Sequence, residues 1–455
     1  MSLNSFFTAK SAAIIGASTE VGSIGYSVTQ AMKQHFKGKV YPVNPHHRKV
    51  LGMTCYSSVF DIPRKDKRRS PVDIAVIVVP IKIVPAVLKE CVKTRIGGVV
   101  LITAGYSEVG NKVAEQEIKN IIRGSNTRII GANCLGVLDT NTGVDTLFLP
   151  EPKLSRPKKG GISFLSQSGA FGSTFLDLIA AEKIGLSKFV SYGNQTDVKD
   201  WELLKFLGKD PLTDVIVIYM EGVSDGRRFL SIAKKVSEKK PIIVYKAGKT
   251  AFGSKAASSH TGSLAGAYEI YKAAFHQGGI LEAQTVEEIY DMAKAIEFQK
   301  KSGGDRIAIV TNGGGFGVVT ADCVILSNLK LAEFSVESKD KLKKILPEFA
   351  QVHNPLDLIG DADSKRYEDA LNVLVKDKNV DGIIIIALLQ TVSLKPEVYD
   401  IIVRVKQKTK KPIIVSSTGG EYTEKLKPKL EKNKIPVYLT PERAVRAMKA
   451  LVKIR

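Results

Sequence analysis

Short Val-, Ile- and Ala-rich runs, each closed by a glycine or serine turn and followed by a helix-forming stretch, recur along the whole chain. No other feature narrows the fold as much. Three segments open alike: Ala12-Ala13-Ile14-Ile15-Gly16-Ala17-Ser18, Ile162-Ser163-Phe164-Leu165-Ser166-Gln167-Ser168-Gly169, and Ile307-Ala308-Ile309-Val310-Thr311-Asn312-Gly313-Gly314-Gly315. Further apolar runs follow at 73–80, 98–103, 215–219, 241–246, 382–388 and 412–416. A strand with one wet face alternates apolar and polar residues, whereas continuous β-branched runs separated by helices are parallel strands covered on both faces. The pattern therefore predicts an α/β chain of three doubly wound domains, at 1–150, 158–299 and 304–455. The joints are Pro150-Glu151-Pro152-Lys153 through Lys158-Lys159-Gly160, and Lys300-Lys301-Ser302-Gly303-Gly304, both polar and rich in turn formers. Open α/β sheets bind ligands beyond the carboxyl ends of their strands, so the three turns are the first places to look for chemistry.

Charge and composition remove several functions. The formal net charge is +21, but Lys and Arg are spread along the chain among acids. The densest run, Arg64-Lys65-Asp66-Lys67-Arg68-Arg69, has no aromatic neighbour on which a base could stack and reads as a solvated loop. A polyphosphate-bearing cofactor or an acidic partner subunit suits this charge better than nucleic acid. No apolar run approaches the roughly 20 residues that span a bilayer. Met1-Ser2-Leu3-Asn4 does not begin a secretory signal, so the expectation is a cytoplasmic protein without a membrane partner. The four cysteines, Cys55, Cys91, Cys134 and Cys323, show no CxxC spacing; three of them sit in apolar surroundings and read as buried, inert thiols, with neither a disulfide framework nor a zinc site.

The first turn, Gly16-Ala17-Ser18 with Gly22-Ser23-Ile24-Gly25, is a loosened dinucleotide fingerprint. Small residues let backbone N–H groups approach a pyrophosphate at the positive end of the next helix. The following strand ends in Asn44-Pro45-His46-His47-Arg48-Lys49, where an NAD-binding chain carries Asp or Glu. A neutral and then basic sequence favours a ligand with an extra phosphate, either NADP or coenzyme A.

The second domain holds the candidate catalytic residue. After the run at 241–246 comes Ala247-Gly248-Lys249-Thr250, then a stretch of small polar residues containing Ser258-Ser259-His260-Thr261-Gly262. No apolar periodicity explains His260, and a glycine-rich loop brings backbone close to an anion. The run at 215–220 ends at Glu221-Gly222. A carboxylate bonded to one imidazole nitrogen fixes the tautomer and leaves the other nitrogen nucleophilic. The turns at 166–169 and 312–315 each open a helix, whose N-terminus carries about half a positive charge and free N–H donors. Such a set suits a phosphohistidine. His353, before Asn354-Pro355-Leu356-Asp357, reads as a turn or packing residue, and His276 as structural.

Taken in order, Gly16-Ala17-Ser18, Val43-Asn44-Pro45, Gly131-Ala132-Asn133-Cys134-Leu135-Gly136, Ser166-Gln167-Ser168-Gly169, Tyr192-Gly193-Asn194, Ser259-His260-Thr261-Gly262 and Thr311-Asn312-Gly313-Gly314-Gly315 resemble the α subunit of ADP-forming acyl-CoA synthetases, such as the archaeal acetyl-CoA synthetases, relatives of succinyl-CoA synthetase. The resemblance covers essentially the whole chain. It implies a Rossmann-type CoA-binding domain followed by two flavodoxin-like ligase domains. It implies reversible conversion of acyl-CoA, phosphate and ADP to a small carboxylic acid, ATP and CoA, through an acyl phosphate and a phosphohistidine at His260, with Glu221 orienting the ring. Ser166, Gln167, Ser168 and Gly169, with Asn312, Gly313, Gly314 and Gly315, match the starts of the two helices that flank phosphate. For coenzyme A the matching positions are Gly16, Ser18, Ser23, Asn44, Lys49, Val79, Pro80, Thr103 and Ala104, with His46, His47 and Arg48 as alternatives to Lys49. Ala132 stands where many relatives have proline. No stretch resembles an ATP-grasp domain, so an ATP-grasp β subunit carrying Mg²⁺ and ADP or ATP is implied, as an α2β2 assembly.

Three other readings compete. A CoA-binding regulator, or the ligase-like part of a protein acyltransferase, without ligase activity would keep the first domain but needs an acetyltransferase domain, which no stretch of the sequence resembles. An NADP-dependent oxidoreductase leaves the His260 loop and the other two turns unused. A nucleic-acid binder lacks a basic-aromatic patch. The acyl group, the ADP or GDP preference and the imidazole nitrogen that reacts are left open by the sequence.

Overall fold

The computed structural model describes residues 3–64, 70–151, 153–250, 252–253 and 268–454. His260, the other loop residues 254–267 and most of the basic run at 64–69 lie outside the described residues. Contacts divide the chain after Gln284 into two compact units.

The first unit contains two sheets. In the first, β1 (Ser11–Ile15), β2 (Lys39–Val43), β5 (Ile74–Ile77), β6 (Gly98–Leu101) and β7 (Arg128–Gly131) lie in the order β2-β1-β5-β6-β7, all parallel. A small hairpin, β3 (Lys49–Val50) with β4 (Met53–Thr54), follows β2. The chain reverses its winding direction between β1 and β5, which is where such a sheet opens a crevice. The second sheet comprises β8 (Val137–Asp139), β9 (Val144–Asp145), β10 (Lys159–Ser166), β11 (Leu186–Ser191), β12 (Val215–Met220), β13 (Ile242–Lys246) and β14 (Leu281–Ala283). Its order is β14-β13-β12-β10-β11-β8-β9, and β10 to β14 are parallel in the flavodoxin-like 2-1-3-4-5 arrangement. β8 and β9 extend it antiparallel through β11.

The second unit carries β15 (Arg306–Thr311), β16 (Lys330–Leu331), β17 (Leu356–Asp357), β18 (Gly382–Ile386), β19 (Ile413–Ser416) and β20 (Val437–Tyr438). Their order is β16-β15-β18-β19-β20, with β17 also paired to β15, so the 2-1-3-4-5 pattern appears again. The Rossmann-type and two flavodoxin-like sheets expected from the sequence are all present. Their central strands are buried on both faces, as the unbroken Val/Ile runs require: Ile14, Ile216 and Ile384 are inaccessible to solvent.

Two features differ from the domain limits read in the sequence. β8 and β9, inside 1–150, belong to the second sheet, and one apolar cluster joins Ala12 and Ile130 of the first sheet and Val28 of the helix Ile24–His35 to Val190 and Ile216 of the second sheet and Leu203 of the helix Asp200–Lys209. The helix Val286–Phe298, inside 158–299, packs on the helix Pro441–Lys453. Buried Asp291 accepts from Arg443 Nη2 (2.6 Å) and Nε (2.9 Å), and Lys294 donates to Val437 O (2.8 Å). The physical reason is burial: a helix with charged groups facing inward settles where each finds a partner. Among the described residues no helix is long and apolar enough to cross a membrane.

Candidate functional site

Gly16 follows β1, and its φ of +94° is a left-handed value that glycine adopts without strain. The helix Ile24–His35 starts directly on this turn, because a Cβ on Gly25 would stand 2.0 Å from Gly16 O. Gly25→Ala is therefore expected to cost about 1–3 kcal/mol through overpacking, seen as a lower urea midpoint for the first unit. Ser23 caps the helix, its Oγ accepting from Tyr26 N–H (3.2 Å). Ser18 Oγ accepts from Glu20 N–H (3.0 Å). Asn44 Nδ2 donates to Ala17 O (2.8 Å), tying the end of β2 to the turn, while Lys49 is exposed on the β3–β4 hairpin. Thr103 Oγ1 donates to Val79 O (2.8 Å), joining the ends of β5 and β6.

A cavity of about 740 Å³ lies beyond these strand ends, a size typical of ligand sites. Val79, Pro80, Thr103 and Ala104 line it together with Gln167, Ser168 and Gly169. The structure thus brings four residues expected at coenzyme A and three expected at phosphate to one wall. Gly16, Ser18, Ser23, Asn44, Lys49 and Ser166 do not line that cavity. Asn133, Cys134 and Leu135, which the sequence placed in a family motif without a ligand role, also line it, as does Phe148, which the sequence did not single out. Asn133 has a positive φ of 54°, a left-handed turn within the Gly131–Gly136 motif that the resemblance singled out. Burial pushes the Cys134 thiol up to about 12, so it stays protonated and unreactive although it borders the cavity.

The second turn begins where β10 stops. Ser166 Oγ donates to Ser168 O (2.6 Å), and Ser168 caps the helix Gly169–Ala181 by accepting from Phe171 N–H (3.2 Å). Gln167 accepts through its side-chain oxygen from Glu221 N–H and from Gly222 N–H (2.9 Å). The donors this turn offers an anion are the backbone N–H groups at the start of the helix Gly169–Ala181. Glu221 is buried at the end of β12, and its side chain hydrogen-bonds Tyr219, whose hydroxyl is pushed well above its ordinary range by burial and by Glu221. Tyr219 itself is stacked on Phe171 of the capped helix, ring centroids 4.1 Å apart. Glu221 and the 166–169 turn thus form one assembly, linked by Gln167 and by the Phe171–Tyr219 stack.

The third turn is built differently. Asn312 is buried and its amide is already engaged: Nδ2 donates to Leu388 O (3.2 Å) and Thr391 Oγ1 (3.3 Å), and Oδ1 accepts from Leu388 N–H (3.0 Å) and Tyr367 Oη (2.9 Å). It staples β15 to the loop after β18. Gly313 precedes the helix Gly314–Leu326, and the open approach is over Gly315, where a Cβ would meet nothing within 4 Å. His353 and His276 are both exposed.

The chain matches three family descriptions in succession: "CoA binding domain" over residues 10–140, "Succinyl-CoA ligase like flavodoxin domain" over 159–296 and "Ligase-CoA domain" over 307–453. It is 45% identical over 448 residues to the acetate–CoA ligase (ADP-forming) of Methanocaldococcus jannaschii, covering 98% of this chain and 62% of that protein. It is 42% identical over 457 residues to the acetate–CoA ligase (ADP-forming) II subunit alpha of Pyrococcus furiosus, covering 99% and 97%. The chain thus spans about three fifths of the first relative and nearly all of the second. Among solved structures it superimposes with a TM-score of 0.91 on a dinucleotide forming acetyl-coenzyme A synthetase 1 from Ca. Korarchaeum cryptofilum in complex with phosphate and ADP. The two are 38% identical, and the match covers 97% of this chain and 94% of that one. With its three domain types in this order and near-complete coverage of an α subunit at 42% identity, the chain belongs to the family of ADP-forming acetate–CoA ligase α subunits.

Proposed function

We propose that this chain carries out the acyl- and phosphoryl-transfer steps of an ADP-forming acyl-CoA synthetase. The observation that carries the reading is the joint wall of the cavity, where the ends of β5 and β6 meet the capped 166–169 turn that also holds Glu221. Coenzyme A lies with its thioester end toward this wall. Phosphate, held by the N-terminus of the helix Gly169–Ala181, attacks the thioester carbonyl. The C–S bond breaks, the thiolate takes a proton, and acyl phosphate remains. A nitrogen of His260 then attacks phosphorus, and the carboxylate leaves. Glu221 holds the imidazole in the tautomer that leaves this nitrogen free. ADP receives the phosphoryl group from His260.

We place ADP and Mg²⁺ on an ATP-grasp β subunit that completes an α2β2 assembly. The greater length of the M. jannaschii relative and the name "subunit alpha" of the P. furiosus relative support this division. The test is to incubate the chain with labelled acetyl phosphate, or with its partner, ATP and Mg²⁺, and to map acid-labile phosphate. Label on His260 is expected; stable label on another residue, or none, would overturn the reading.

A further inference from the structure

Three lysines are buried among the described residues: Lys188, Lys246 and Lys294. Lys188 pairs with Asp210 at 2.7 Å and Lys294 pairs with Glu431, as a buried cation should. Lys246 is held differently. It ends β13, in register with Met220 at the end of β12, and is 1% exposed. Its Nζ donates to Glu221 O (2.8 Å) and to Ala247 O, and lies 4.6 Å from the centre of the Tyr271 ring. Burial pulls the ammonium below the ordinary lysine range, and the nearby Glu221 charge opposes that pull.

Glu221 is therefore gripped from three strands. Gln167, after β10, accepts from its N–H; Tyr219, on β12, meets its carboxylate; Lys246, on β13, takes its C=O. A cation held by carbonyls and a ring face is a costly arrangement for packing alone, and it sits at the strand end where the carboxylate must be aimed. We infer that Lys246 is a positioning residue that acts on phosphoryl transfer through Glu221, by fixing the Glu221 carbonyl and with it the direction of the carboxylate.

This inference rests on the role proposed above for Glu221, and the test separates the two. The full chain is labelled with acetyl phosphate, and the maximal rate and half-saturating concentration are measured for Lys246→Met, Lys246→Gln, Glu221→Gln and Lys246→Met/Glu221→Gln. Lys246→Met should lower the maximal rate about 20-fold, the range seen when an orienting partner is lost, with half-saturation changed less than about twofold. Lys246→Gln keeps a donor for the carbonyl and should recover most of the rate. The double variant should be no slower than Glu221→Gln, because both changes act on one group. The inference is overturned if Lys246→Met labels within threefold of wild type, if the two losses multiply, or if Lys246→Gln is as slow as Lys246→Met. If Glu221→Gln labels like wild type, the reading of Glu221 falls and takes this one with it. A silent Lys246→Met beside an impaired Glu221→Gln overturns this inference alone.

Discussion

Replacing His260 with alanine is expected to abolish acid-labile labelling and to lower ATP formation by about 10⁴-fold or more, the scale seen when a covalent nucleophile is removed. Alanine offers no atom that can accept the phosphoryl group, and water does not substitute for a carrier that must deliver it to ADP. The first half of the reaction should survive. Attack of phosphate on the thioester uses the 166–169 turn and the wall formed by Val79, Pro80, Thr103 and Ala104, and the proposed mechanism gives His260 no part in that step. Phosphate-dependent release of CoA from acyl-CoA, followed as free thiol in a single turnover, should therefore persist in His260→Ala while ATP formation stops. Equal loss of both steps would mean that the histidine serves the acyl transfer itself, and labelling at the wild-type level would remove it from the mechanism.

Glu221→Gln should slow phosphoryl transfer about 10²- to 10³-fold and leave CoA affinity unchanged. Losing the charge beside a reacting imidazole while keeping the shape costs up to about 10⁴-fold where the carboxylate sets the tautomer. Glutamine still fits the space and still offers an oxygen, but it cannot compensate positive charge on the ring, and its amide can turn the wrong way round toward Tyr219. CoA affinity is the internal control, because the turn at Gly16 and the ends of β5 and β6 belong to a different sheet from β12. Isothermal titration with CoA beside single-turnover labelling decides the matter: parallel losses in both would indicate damaged folding of the first unit.

Much of this arrangement is legible in the sequence. Strand runs such as Ile307-Ala308-Ile309-Val310 read as parallel and buried because burial on both faces leaves no polar alternation. The turns at Gly16, Ser168 and Gly313 were legible because left-handed backbone and helix caps have local residue preferences. What the side chains do at those turns was not. Asn312 matches a phosphate-site motif, yet its amide is spent on Leu388, Thr391 and Tyr367, residues 55 to 79 positions away. Gln167 stands in the same kind of motif, and its oxygen serves Glu221 and Gly222, 54 and 55 positions on. Lys246 looked like the last residue of an ordinary strand.

The sequence by itself determined the alternation of strands and helices, the three strand-end turns and the residue types available at each. These follow from periodicity and backbone preference, which act over a few residues. Tertiary structure alone decided that β8 and β9 leave the first sheet for the second and that the helix Val286–Phe298 joins the third. It also decided that Gln167, Tyr219 and Lys246 close around Glu221. Strands distant in sequence are set side by side by the order of pairing in the sheet, and buried polar groups then take the partners which that order places within reach.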